Sequence, residues 1–374
     1  MTLKEEFIKL GYTEEDYEII RNNYAVNQIK DETLIKKLKD NFAFLLKMGY
    51  TKEEVIKMTK SLPQIYSYSI ENMKQKIEDI ISLGYTKEEV VKMTKTLPAI
   101  YGYSIENIKQ KIEDIISLGY TKEEVIKMTK GIPIIYSYSI ETIKRKIEDI
   151  ISLGYTKEEV VKMTKSLPSI YGLSIENMRQ KIEDIISLGY TKEEVIKMTK
   201  SLPAIYSYSI ENMKQKIEDI ISLGYTKEEV IKMTKILPAI YGLSIESMKQ
   251  KIEDIISLGY TKEEVIKMTK ILPAIYGFSI ENMKQKIDFY DSIDMHELAV
   301  INPKQLMQSV NLSYARYSFY KDRGIDIDMN NYGKLFVGQK NFEKTYGITK
   351  KELLEKYDYN KYKEEKEKEN GRII

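Results

Sequence analysis

The sequence predicts an all-α fold, a superhelical solenoid of tandem 35-residue helix–turn–helix units, and three observations predict it. A segment close to GYTKEEVIKMTKSLPAIYSYSIENMKQKIEDIISL recurs seven times, starting at Gly49, Gly84, Gly119, Gly154, Gly189, Gly224 and Gly259 and ending near Ile293. Each copy carries two stretches of helical hydrophobic spacing. Each is punctuated at fixed places by one glycine and one proline. A tandem period of this size marks a repeat array in which every unit packs on its neighbours.

Numbering each copy from its glycine, the elements follow in order. Thr at position 3 and Glu at position 6, as in Thr51 and Glu54, form a T-x-x-E capping box that starts the first helix. That helix runs to about position 13. Its buried stripe is at positions 7, 10, 11 and 14 (Val55, Met58, Thr59, Leu62). Proline at position 15 (Pro63, Pro98, Pro133, Pro168, Pro203, Pro238, Pro273) ends it. The Pro-x-Ile-Tyr step then makes one turn of 3₁₀ or α-helix. Ser at position 21 (Ser69) caps the second helix, with Glu71 in its first turn favoured by the helix dipole. Positions 22, 25, 29, 32 and 33 (Ile70, Met73, Ile77, Ile80, Ile81) supply the second buried stripe. The next glycine closes the helix.

Around the copies, residues 1–48 read as a degenerate N-terminal repeat or cap, opened by Gly11-Tyr12-Thr13. Residues 49–293 hold the seven repeats, and 294–357 read as divergent C-terminal repeats and a cap. Residues 358–374 read as a charged tail, a frayed helix or disordered.

Composition narrows the function classes. With no Cys there is neither a disulfide framework nor a thiolate metal site. The opening MTLKEEFIKLGY has neither a signal-peptide nor a transit-peptide pattern. No apolar run approaches the roughly 18 residues of a membrane span. A monomeric prokaryotic protein of the cytosol or nucleoid, without membrane contact, is expected. Net charge is only +2, but it balances 59 basic against 57 acidic residues, so segregation of charge decides what the surface attracts.

Within the repeat, Glu at position 5 can pair with Lys at 9, and Lys at 26 with Glu at 30, both at i,i+4. Lys at 12 has no acidic residue three or four away in its own helix, and Lys at 28 has only Asp at 31. These two positions form columns: Lys60, Lys95, Lys130, Lys165, Lys200, Lys235 and Lys270, and Lys76, Lys111, Lys146, Lys181, Lys216, Lys251 and Lys286. A lysine column at repeat spacing could follow a phosphate backbone and release its counterions. The plainer alternative is a solvated helix face.

The pattern resembles the mTERF family, the mitochondrial transcription termination factor repeat proteins, in a bacterial-type form. The matching residues are Leu83 to Thr86, Glu88-Val90-Val91, Leu97-Pro98-x-Ile100-Tyr101, and Ser104-x-Glu106. Asn302-Pro303-x-x-Leu306 with Ser309, and Phe342 through Tyr357, extend the likeness beyond the copies. The resemblance implies a left-handed superhelix of helix triplets. It further implies a basic concave face that binds double-stranded DNA or RNA, in transcription termination or regulation. The chain departs from that pattern in having few arginines: Arg21, Arg145, Arg179, Arg316, Arg323 and Arg372. Only Arg145 and Arg179 lie in the repeats, where they join the lysine columns as candidate phosphate contacts. Bidentate guanine readout prefers arginine, so their scarcity argues against that mode.

Variation between copies concentrates near the proline. Position 13 reads Ser61, Thr96, Gly131, Ser166, Ser201, Ile236 and Ile271, and position 16 includes Gln64 and Ser169. These are candidate tuning positions; drift at a loosely packed turn is the alternative. Position 19 alternates between Ser and Gly. Tyrosines at positions 2, 18 and 20 could stack on bases, but at this spacing they read as packing.

Nothing points to catalysis. His296, the one histidine, does not begin an H-E-x-x-H motif because Val300 stands where the second histidine would be. No Gly-rich phosphate loop or nucleophile elbow is present. No metal or cofactor is expected. The sequence therefore predicts a non-enzymatic nucleic-acid-binding repeat protein, with a protein-interaction scaffold of the same fold as the rival.

Overall fold

The structure, a computed structural model, describes residues 2–370 and is helical throughout, with no strand among the described residues. It comprises two compact units. One is formed by residues up to Glu183 with Thr199–Tyr206, the other by Asp184–Met198 with residues from Ser207 onward.

In the first unit, the second copy shows how the sequence makes one repeat. Its first helix is Lys87–Thr96, a 3₁₀ turn follows at Pro98–Gly102, and the second helix is Ile105–Ile116. The Thr86 hydroxyl accepts the Glu89 amide and the Glu89 carboxylate accepts the Thr86 amide, completing the capping box. Leu97, forced out of helical geometry by the proline after it, stands at φ −130°, ψ 79°. The Ser104 hydroxyl accepts the Asn107 amide at 3.0 Å and starts the second helix. Gly84, at φ +114°, turns the chain between copies in a conformation that residues with a Cβ rarely adopt.

The predicted core positions are filled: Val90, Met93, Thr94, Ile100, Tyr101, Ile108, Ile112 and Ile115 are buried. Full burial of such an aliphatic side chain contributes about 1.5–3 kcal/mol. Positions 22 and 33 are corrections. Ile70 and Ile105, at position 22 in the first turn of the second helix, are only half-buried. At position 33, Ile81, Ile221 and Ile256 are exposed, because at the helix edge only position 32 points inward.

Residues 14–47 of the first unit follow the same plan with different parts. The helices are Glu14–Arg21, Tyr24–Asn27 and Asp31–Lys47, and a short α-helix stands where the copies have their proline turn.

In the second unit the copies continue through Ile280–Asp291. A shortened repeat follows: Leu298–Ile301, a 3₁₀ turn at Pro303–Met307, and Val310–Lys321 capped by Ser309. Gln339–Tyr346 and Lys350–Lys356 come next, with Phe342 and Leu353 fully buried. The charged tail takes the helical of its two expected forms. Tyr359–Asn370 is helical, and Tyr359 and Tyr362 pack on Tyr314 at ring distances of 5.4 and 4.7 Å. The aromatic residues at its start anchor it; residues 371–374 lie outside the described residues.

Candidate nucleic-acid interface

The lysines at position 12 find their partners across the repeat junction. Each reaches back 41 residues to the capping-box glutamate of the preceding copy: Lys95 to Glu54 at 2.8 Å, Lys130 to Glu89 at 2.7 Å, and Lys165 to Glu124 at 2.9 Å. The series continues with Lys200 to Glu159, Lys235 to Glu194 and Lys270 to Glu229, each at 2.7 Å. Lys60 meets Asp16, which holds the same place in the N-terminal repeat. The ammonium groups of Lys95, Lys165 and Lys235 also lie over the position-2 tyrosine rings of the preceding copy. The lysine hydrogen bond is the first cause holding Glu54, Glu89, Glu159, Glu194 and Glu229 below the ordinary carboxyl value. For Glu124 the Thr121 amide comes first.

The lysines at position 28 are half-buried and have a different task. Lys111, Lys146, Lys216 and Lys251 donate to the carbonyls of Tyr138, Leu173, Leu243 and Phe278, at position 20 of the following copy. Those carbonyls end the 3₁₀ turn, where the chain's own amides no longer reach and a cation is favoured. Lys286 donates instead to the Leu306 carbonyl inside the next 3₁₀ turn, and burial lowers its pKa.

Within the copies, the lysines left exposed and without an ion pair among the described residues are those at position 4, beside the two glutamates that open the first helix, and those at positions 9 and 26. Lys92, Lys127 and Lys162 stand on the first helices, and Lys74, Lys109 and Lys144 on the second. The i,i+4 pairs open to the lysines at positions 9 and 26 are not formed, whereas Lys351 and Glu355 do meet at that spacing. Instead Gln75 and Gln110 take Asp79 and Asp114 at that spacing. Sequence reasoning within single helices missed this exchange. The signal was the constant offset of 41 between an unpaired lysine and an acidic residue of the copy before.

Arg145 and Arg179 are exposed on second helices. The other described arginines are structural. Arg316 is fully buried, donating to the Leu335 carbonyl at 2.8 Å, Arg21 pairs with Asp31, and Arg323 stacks on Phe319. Arg372 lies outside the described residues.

The variable positions are on the surface. All seven position-13 residues are exposed, with Ile236 at 62%, as are Gln64 and Ser169 at position 16. Lys at position 9 lies one turn before position 13 on the same helix face. Part of the variation at position 19 is packing: a Cβ on Gly102 would lie 2.9 Å from the Tyr68 hydroxyl.

The tyrosines divide into two classes. Those at positions 2 and 18 are core. The Tyr85 hydroxyl lies 2.6 Å from Thr129 Oγ1 and 2.5 Å from the Tyr136 hydroxyl, all three buried. Thr129 donates to the Val125 carbonyl, so each hydroxyl in the chain Tyr136–Tyr85–Thr129–Val125 can donate once. The arrangement recurs from Tyr12 through Tyr225 and ends at Tyr260, which donates to the His296 carbonyl. The tyrosines at position 20 are half-buried and stay outside that hydroxyl chain, lining clefts together with the inner tyrosines at position 18. His296 stacks on Tyr260 with its Nδ1 2.6 Å from Asp291, a packing role. No group of His, Asp or Glu among the described residues is placed to hold a metal ion.

These features define an all-α tandem-repeat protein with a polar, surface-exposed helix array. The mTERF family model matches residues 29–117, 80–187, 113–223, 150–257 and 186–311, and the chain belongs to the mTERF family. Proteins of this family are generally non-enzymatic nucleic-acid binders acting in transcription termination. No curated protein matches the chain. No helix among the described residues is long and apolar enough to cross a membrane.

Proposed function

We propose that this protein binds nucleic acid without catalysing a reaction, and that its ligand is double-stranded DNA engaged in transcription termination or regulation. The carrying observation is family membership together with exposed lysines at positions 9 and 26 of the copies, which have no ion pair to give up. A phosphate approaching either set gains a charge-assisted contact and displaces a counterion. The position-12 lysines can join only by exchanging a glutamate at 2.7–2.9 Å, and most of the position-28 lysines only by leaving a carbonyl. They are the weaker contributors. Arg145 and Arg179 add two exposed cations, and positions 13 and 16 would tune the contact.

One observation favours a protein-interaction scaffold instead: on each second helix the exposed cation at 26 (Arg179 in the fourth copy, Lys in the others) stands between exposed carboxylates at 23 and 30, so signs are mixed along that face. Fluorescence anisotropy with random duplex DNA between about 50 and 200 mM salt separates the two. Binding that weakens steeply with salt supports the DNA reading. No binding at the lowest salt turns the assignment to the scaffold.

A further inference from the structure

We infer that the first unit has a second binding mode, for single-stranded nucleic acid, with one base entering each of three consecutive clefts. This goes beyond duplex binding and rests on a different set of residues.

The clefts recur at equivalent places, between the second helix of one copy and the proline turn of the next. They have volumes of about 400, 430 and 310 Å³. Tyr68 lines the first, Tyr103 is shared by the first and second, and Tyr138 by the second and third. At Tyr103 and Tyr138 the position-20 side chain is therefore a shared wall between neighbouring clefts. Unlike the tyrosines at positions 2 and 18, it is not part of the buried hydroxyl chain: the Tyr68 hydroxyl rests against Gly102 while the ring stays half-exposed to the cleft.

Each cleft also offers hydrogen-bonding groups of both kinds. In the second these are Asn107, Ser139, the Gln110–Asp114 pair, which keeps lone pairs and one amide hydrogen beyond its own hydrogen bond, and Lys111. Lys111 spends one donor on the Tyr138 carbonyl and retains two. A flat heterocycle bearing donors and acceptors on its edge, linked to an anionic backbone, matches this lining. Aromatic walls take any base by its π-face, while the polar edges discriminate among bases. An intact duplex cannot present its bases this way, because they are stacked and paired.

The clefts differ at the positions that would touch an edge. The third has Thr142 and Arg145 where the second has Asn107 and Gln110, and Gly172 where the second has Ser137. Substitutions at three of the repeat's variable positions thus fall inside the clefts. Leucine replaces the tyrosine wall at Leu173 and Leu243, so the fold accepts an aliphatic residue there and the aromatic ring is dispensable for packing.

The test uses the full chain and fluorescein-labelled 15-nucleotide strands: oligo(dT), oligo(rU), and an abasic strand carrying the same phosphates. Binding of either base-bearing strand at least tenfold tighter than the abasic strand is expected. The Y103L/Y138L variant should lose about tenfold or more for that strand while its duplex affinity stays unchanged. K127Q/K162Q should do the reverse. Equal affinity for the abasic and base-bearing strands would overturn the proposal, as would a Y103L/Y138L variant of unaltered affinity and thermal midpoint. Loss of duplex binding alone would leave the cleft site standing, so the two readings fail separately.

Discussion

Lys95 reaches back across a repeat junction to Glu54, 2.8 Å from ammonium to carboxylate, with the Tyr50 ring 5.5 Å from the same nitrogen. One lysine thereby joins two copies through the same glutamate that caps the preceding first helix. The pairing repeats down both units, so the copies share a response to acid. The folded carboxyls sit below their ordinary value of 4.5, so the unfolded chain takes up protons first as pH falls. Their contribution to stability is complete above that value and disappears as pH drops through the lowered one. Urea midpoints should be flat from neutral pH to about 5, fall steeply below about 4.5, and fall less in high salt, which screens part of the pairing.

The buried hydroxyl chain should matter more to stability than the ion pairs. Y85F removes a hydroxyl that bridges Thr129 and Tyr136 and leaves the Tyr136 hydroxyl without its acceptor. A loss of about 1–3 kcal/mol is expected. K130Q, at a pair about one-third exposed, should shift the urea midpoint by clearly less. Denaturation of the two variants side by side checks the ranking.

Alkali should act on the same tyrosines. Burial raises Tyr85, Tyr206, Tyr241 and Tyr276 above the ordinary phenol value of 10.0. Their folded forms hold the proton where the unfolded chain gives it up. Stability is therefore full below pH 10 and falls as pH rises beyond it. Several tyrosines release together on unfolding, so a pH-jump followed at the tyrosinate absorption band should show a cooperative step that coincides with loss of helicity. Gradual tyrosinate formation ahead of unfolding would mean the hydroxyls are accessible.

How far the sequence led depends on the direction of each interaction. Features set inside one helix were legible: the Thr86–Glu89 capping box, the break at Pro98, the Ser104 cap, and the buried stripe at Ile108, Ile112 and Ile115. Interactions running between copies were not. Lys130 looks unpaired when only its own helix is considered, because Glu89 becomes its neighbour only when two copies stack. The three tyrosines of a copy look alike in sequence. Stacking alone separates Tyr101, buried at 6% exposure with its hydroxyl on Tyr50, from the half-buried Tyr103. Composition left the tail open between a frayed helix and disorder; the helix is the one formed, held at its start by the contacts of Tyr359 with Phe289 and Tyr314.

Two glycines should respond in opposite directions. Gly84 sits at φ +114°, and a Cβ there would also meet Ile126 Cδ1 at 3.0 Å, so G84A should lose about 1–3 kcal/mol. Gly131 ends a first helix with a non-positive φ and nothing within 4 Å of an added Cβ, so G131A should gain about 0.5–1 kcal/mol. Thermal midpoints of the two variants provide the comparison.

The central proposal, phosphate contact through the exposed lysines, is tested most directly by the salt slope of duplex binding for wild type, K127Q/K162Q and K130Q/K165Q. Each phosphate contact removed should lower the slope of log affinity against log salt by about 0.9. The position-9 pair should therefore lose close to two contacts, and the position-12 pair, already engaged by Glu89 and Glu124, less than one. Equal slopes for all three proteins, or no duplex binding by wild type at about 50 mM salt, would contradict the proposal.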